Sequence, residues 1–285
     1  MNFIYNFYPN RLLVNVFGIN IYWYGLFLFL SVIVGLFVFL RLCKKEKIEK
    51  NIAYDLFFYS IIAGVIGARI FYVLYYFKDY LKDPLEILKF WNGGMSIFGG
   101  IVFGFLSLFF ICKKRKIEFK KILNISVISL VSAQIIGRIG NYFNQELFGV
   151  PTSFILKIPI EKINRPEKYI DSEFFIPLFF YEIFFNLILL CILLYFFNKK
   201  NKNQLETGII SKDLKLKDFR KKMKLLVFIE DGLIFYFYAY YYFTLRFILE
   251  FFRISEPKIL NLTYNQIFSI FVLCILDLYL ILKKK

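Results

Sequence analysis

The chain contains no histidine in its 285 residues. That removes the usual acid/base side chain near neutral pH and the commonest metal ligand. Cysteine is scarce: Cys43, Cys112, Cys191 and Cys274 form no CxxC pair, and each lies in or beside an apolar run. They read as small core residues, not as a metal site or a disulfide framework. No cofactor is expected. There is no internal repeat of the sort that marks inverted-repeat transporters. The first residues carry no basic stretch leading to a cleavage site, so no removable signal segment is expected.

What is present is apolar surface. The sequence is 59% hydrophobic and 22% aromatic, with a mean hydropathy of +0.60, more than a soluble protein of this size carries. About 20 apolar residues cross the hydrocarbon layer as a helix, and seven runs qualify: roughly 20–41, 52–77, 96–112, 122–144, 174–197, 231–253 and 264–282. The expectation is therefore an all-α, polytopic membrane protein, one integral domain over 1–285. Residues 1–19 read as an interfacial segment.

The net charge of +16 raises the question of nucleic acid, but its distribution points to the membrane. Twenty-four Lys and Arg residues fall in 41–50, 113–121, 199–224 and 283–285, whereas nine fall in the opposite set of loops. By the positive-inside rule the N-terminus lies outside and the C-terminus is cytoplasmic. The stretch 199–224 reads as a basic, solvated cytoplasmic loop, and no nucleic-acid partner is inferred.

With depth assigned this way, the costly polar groups gather in the outer half. Gly137–Gly149 (GRIGNYFNQELFG) closes the fourth run and carries Arg138, Asn141, Gln145 and Glu146. On a helix Arg138, Asn141 and Gln145 share one face. A central Arg facing lipid costs about 2.5–3.5 kcal/mol on insertion scales, so that face must look inward. Tyr24, Arg69, Gly93–Gly100 (GGMSIFGG), Tyr181 and Glu182 lie at the same level. Arg246, Glu250 and Arg253 follow at i, i+4 and i+7, one helical stripe. Each has a plainer reading: an intrahelical ion pair for Arg246–Glu250, snorkelling for Arg253, an aromatic belt for Tyr24, a hydrogen-bonding anchor for Glu182, close packing for the glycines. Arginines converging at one depth point instead to an anionic headgroup, which the guanidinium fork suits. Asp277, in the inner half of the seventh run, has no role in this arrangement.

These motifs resemble the prolipoprotein diacylglyceryl transferases of the bacterial inner membrane. The resemblance runs in order through YWYGL (22–26), GARIFYVLYY (67–76), DPLEILKFWNGGMSIFGG (83–100), GRIGNYFNQELFG (137–149), PLFFYE (177–182), LRFILEFFR (245–253) and TYNQIFSI (263–270). It implies transfer of a diacylglyceryl group from phosphatidylglycerol to the lipobox cysteine of a preprolipoprotein, releasing glycerol phosphate. The catalytic residues it implies are Arg138, Arg246, Tyr24, Asn141, Glu146 and Glu250. Arg138, Arg246, Asn141, Arg69, Gly99, Gly100 and Gly149 would hold phosphatidylglycerol, supported by Glu182, Tyr181 and Arg253. Glu146, Glu182 and Glu250 would hold the arginines and accept the thiol proton.

Two positions depart from the family pattern. Phe98 and Ile176 stand where the family usually has His, the first being its favoured general base. The rival readings are a catalytically silent lipid-binding homologue, with Phe98 closing the site, and an anion or lipid transporter. A transporter needs a polar path to the inner face, which the inner halves of these runs do not supply.

Overall fold

Six of the seven prolines, at positions 9, 84, 151, 159, 166 and 257, lie outside the long apolar runs, and Pro177 stands near the start of the fifth, just before its helix begins at Leu178, so no proline interrupts the i→i−4 ladder that must satisfy backbone groups in lipid. A computed structural model describes residues 7–81, 83–90, 93–210, 233–254 and 258–284. Its helices are α1 (Trp23–Lys45), α2 (Lys50–Tyr75), α3 (Ile97–Arg115), α4 (Phe119–Asn144), α5 (Leu178–Ile210), α6 (Leu233–Leu249) and α7 (Tyr264–Lys284). Among the described residues six helices are long and apolar enough to cross a membrane; α6, with 17 described residues, falls just short. The protein is thus a mostly helical, multi-pass membrane protein.

Two expectations change. The stretch 199–210 is not a loop: α5 continues to Ile210, since its Lys, Asn, Gln, Leu and Glu residues tolerate a helix and no proline stops it. The remainder, 211–224, lies outside the described residues. At the other end, residues 12–22 form an antiparallel hairpin, β1 (Leu12–Val16) and β2 (Ile19–Tyr22). Its turn residues, Phe17 and Gly18, both have positive φ, as a two-residue hairpin turn requires.

The chain divides into two units, residues 36–126 and residues 1–35 with 127–285. In the first, α2 packs on α3 through glycines. A side chain on Gly67 would collide with Phe103, and one on Gly99 with the Gly67 carbonyl and, at 2.7 Å, Phe71 Cβ. Small residues at such a crossing let two membrane helices approach closely.

The second unit holds the remaining helices and a small outer core. The strand pair β3 (Ile158–Pro159) and β4 (Phe174–Phe175) contributes to a cluster of Phe148, Ile158, Ile160, Phe175 and Phe179, with Tyr142, Tyr169 and Ile254 packed against it. A second pair, β5 (Lys258–Ile259) and β6 (Leu262–Thr263), leads into α7. Asp277 on α7 accepts a hydrogen bond from the Tyr240 hydroxyl on α6, which gives this intramembrane carboxylate a partner.

Candidate active site

The last turn of α4 sets the site. Gly140 has Tyr24 Cδ2 and Phe27 Cβ 3.2 Å from where its Cβ would stand. Phe143 stacks on Trp23 and Phe27, with centroids 4.9 and 5.4 Å apart. Together these contacts bring Tyr24 beside the Arg138 turn.

α4 then ends at Asn144, and the backbone enters the left-handed region at Gln145 (φ 50°) and Leu147 (φ 57°). Arg11 stabilises this ending by donating from Nε to the Asn144 carbonyl at 3.1 Å. The expected shared face of Asn141 and Gln145 is therefore broken. Gln145 is buried and ties loops together: its amide donates to the Pro9 carbonyl (3.0 Å), and its Oε1 accepts from Glu161 N (2.8 Å) and Asn164 Nδ2 (3.1 Å).

Arg138 and Asn141 do share a face: Arg138 Nη1 donates to Asn141 Oδ1 at 3.2 Å, and Asn141 Nδ2 donates to Glu146 Oε1 at 2.7 Å. The second turn of α5 brings in Glu182, and the end of α6 brings in Arg246. Arg138 Nε pairs with Glu182 Oε2, while Arg246 Nη1 stands 3.6 Å from Glu182 Oε1. Arg246 also reaches Glu250 Oε2 at 3.3 Å, and Arg253 stands 3.9 Å from the same oxygen. Asn265 Nδ2 on α7 donates to Glu250 Oε1 at 3.1 Å.

Arg246, Glu250 and Arg253 do not form one helical stripe. α6 ends at Leu249, Glu250–Phe252 is a 3-10 turn, and Arg253 is extended. The tighter turn still carries Glu250 into contact with both arginines. Of the three glutamates expected to hold arginines, Glu182 and Glu250 do so, whereas Glu146 is held by Asn141.

Three guanidiniums thus meet the two carboxylates of Glu182 and Glu250, and Glu146 stands one amide away from Arg138. Arg138, Glu182 and Arg246 line a cavity of about 20 Å³ with Gln134, Asn186, Tyr242, Leu245 and Leu249. That is room for about one water. Two larger apolar cavities adjoin it through Leu249. One, of about 430 Å³, runs along α6 past Phe237, Tyr240, Tyr241, Thr244 and Ile248. The other, of about 470 Å³, is lined by Tyr181 with Phe154, Leu178, Phe185, Ile248 and Phe252. Tyr181 thus belongs to an apolar wall beside the ionic cluster.

Three expected phosphatidylglycerol ligands have other occupations, and the sequence alone did not separate packing from binding for them. Gly149 is a backbone crossing: its N–H donates to the Ile176 carbonyl at 2.7 Å, it bridges Arg253, and an added Cβ would lie 2.6 Å from the Phe252 carbonyl. Gly99 and Gly100 pack on α2, against Gly67 and against Gly64 and Ala68. Arg69 is also committed. Nε donates to the Ile87 carbonyl (2.9 Å), Nη1 to Gly93 and Gly94 (2.5 and 3.1 Å), and Nη2 to Glu86 and Lys89 (2.5 and 3.4 Å). A guanidinium has five N–H donors, so none is left for a phosphate. Tyr80 and Phe90 flank it, with centroids 5.4 and 5.9 Å from Cζ. Sequence reasoning also missed Asn265, whose only signal was a polar residue opening an apolar run.

The chain is thus a multi-pass membrane protein with an arginine–glutamate cluster beside apolar cavities. The comparisons with known proteins are specific. A family profile described as prolipoprotein diacylglyceryl transferase matches residues 11–211. The chain is 37% identical over 219 residues to a phosphatidylglycerol–prolipoprotein diacylglyceryl transferase of Prochlorococcus marinus (strain MIT 9301), covering 71% of this chain and 73% of that protein. It is 39% identical over 191 residues to one from Synechococcus sp. (strain CC9902), covering 66% and 68%. The chain belongs to the prolipoprotein diacylglyceryl transferase family.

Proposed function

We propose that this protein is a transferase of the bacterial inner membrane that moves the diacylglyceryl group of phosphatidylglycerol onto the lipobox cysteine of preprolipoproteins, releasing glycerol phosphate. The observation that carries this reading is the juxtaposition of three guanidiniums, Arg138, Arg246 and Arg253, gathered on Glu182 and Glu250, with two apolar cavities. A phospholipid offers the complement: a phosphodiester for the guanidiniums and acyl chains for the apolar walls.

The chemistry follows from charge. The substrate's sulfur attacks the glycerol carbon that bears the phosphodiester, a C–S bond forms, and the C–O bond to phosphate breaks with its electron pair going to the phosphate oxygen. Negative charge grows on the leaving phosphate. Arg138 and Arg246 are already gathered by Glu182, so part of the ordering that stabilises this charge precedes binding. The cavity between them holds little more than a water, so headgroup binding must displace that water or part the arginines. Asn141 and Tyr24 orient the headgroup. The positive-inside count places this site toward the outer face, where exported lipobox segments arrive.

The test is transfer in vesicles. Purified protein is reconstituted with a lipobox peptide in phosphatidylglycerol or in phosphatidylethanolamine alone, and the peptide mass is followed. A diacylglyceryl mass gain in the first only, with glycerol phosphate released, is expected. No gain in phosphatidylglycerol, from folded protein that binds the lipid, would favour a silent lipid-binding homologue.

A further inference from the structure

We infer that Glu146 is the general base that takes the proton from the substrate thiol; the inference rests on the transferase reading above. The chain has no histidine to do so, and Phe98 and Ile176 offer no lone pair. Three carboxylates gather round the arginines. Both oxygens of Glu182 face guanidiniums, and Glu250 is buried, with one oxygen facing Arg246 and Arg253 and the other accepting from Asn265. Both carboxylates are committed to ion pairs with the arginines.

Glu146 is different. Among the described residues no arginine or lysine lies within ion-pair distance of it, and Oε2 accepts no hydrogen bond. The hydrogen-bond donor to its carboxylate among the described residues is the Asn141 amide, on Oε1. Asn141 in turn accepts from Arg138, so a single neutral amide separates the phosphate-binding guanidinium from the carboxylate. Arg138 can then hold the leaving phosphate while Glu146 keeps an open oxygen a short reach away. Tyr24 lies within electrostatic reach of both.

The backbone supports the assignment. Glu146 sits between two non-glycine residues in the left-handed region, Gln145 and Leu147, and its N–H closes back on the Asn141 carbonyl at 3.1 Å. Such strained backbone persists where surrounding structure imposes it, and it clusters at functional sites. Here it presents one carboxylate beside the end of α4. In the step itself, Glu146 Oε2 accepts the thiol proton, the thiolate forms the C–S bond, and the phosphate leaves with the C–O electron pair. Glu146 then returns its proton to the phosphate or to solvent.

The test compares wild type with Glu146→Gln, near-isosteric and still able to accept from Asn141, on two lipobox peptides. One carries cysteine and the other selenocysteine, whose selenol is ionised at neutral pH and needs no base. With the thiol peptide the variant should lose roughly 10²–10⁴-fold in rate, the range general-base help supplies. With the selenol peptide it should come within about tenfold of wild type. An equal loss on both peptides would make Glu146 a positioning residue and overturn the assignment, as would a wild-type rate with the thiol. No transfer by wild-type protein to either peptide overturns the transferase reading, and the assignment with it.

Discussion

Arg138 and Arg246, from different helices, share the carboxylate of Glu182, one guanidinium on each oxygen. This relationship explains how two cations stay side by side before any anion arrives. Removing one partner of a buried ionic group is strongly destabilising, by about 3–5 kcal/mol, and these side chains are only partly screened, at 13–21% exposed. Glu182→Ala should therefore lower the melting temperature in detergent by several degrees and abolish measurable transfer. Unchanged melting with intact transfer would show that the arginines are held some other way.

Arg69 is a keystone in its own unit, where it ties Glu86, Ile87, Lys89, Gly93 and Gly94 to α2. Arg69→Ala removes a donor from five carbonyls on exposed or half-buried residues, of which Glu86 O keeps the Lys89 N–H, and each lost bond costs about 1 kcal/mol. The variant should become a ready substrate for limited proteolysis within 84–94, with a lowered melting temperature. Arg69→Lys should rescue little, since one ammonium with three donors cannot reproduce a planar fork. Lysine rescue would overturn the five-carbonyl account.

Gly149 is predicted to be intolerant for a reason that has nothing to do with ligand contact. Its missing Cβ would lie 2.6 Å from the Phe252 carbonyl and 3.0 Å from Ile176 Cβ. Gly149→Ala must push the 250–253 turn away, taking Glu250 and Arg253 with it. Overpacking of this sort costs about 1–3 kcal/mol. The expected outcome is a modest melting shift with a loss of transfer of tenfold or more; equal phosphatidylglycerol binding and turnover in the variant would refute it.

Much of this was legible in the sequence because membranes enforce simple rules. Helix positions followed from apolar length, and the inward face of Arg138 and Asn141 followed from spacing. The outcome at Gln145 was not readable, because the left-handed break after Asn144 depends on Arg11 and Asn164, more than a hundred and about twenty residues away in sequence. The end of α6 at Leu249 was equally hidden: LRFILEFFR continues an apolar helix on paper, whereas Glu250, at the tighter turn, meets Arg246, Arg253 and Asn265 together. The partners of Arg69 were hidden for a related reason. An intramembrane arginine looks the same in sequence whether it meets a phosphate or a set of carbonyls.

The central claim is that the Arg138–Glu182–Arg246 cluster works on the phosphate of phosphatidylglycerol. It is tested most directly by single-turnover transfer to a lipobox peptide in phosphatidylglycerol vesicles, comparing wild type with Arg138→Ala. Losing one preorganised donor to developing charge typically costs about 10²–10³-fold, so the variant should transfer at least a hundredfold more slowly while remaining folded. Transfer by Arg138→Ala within about threefold of wild type would contradict the account.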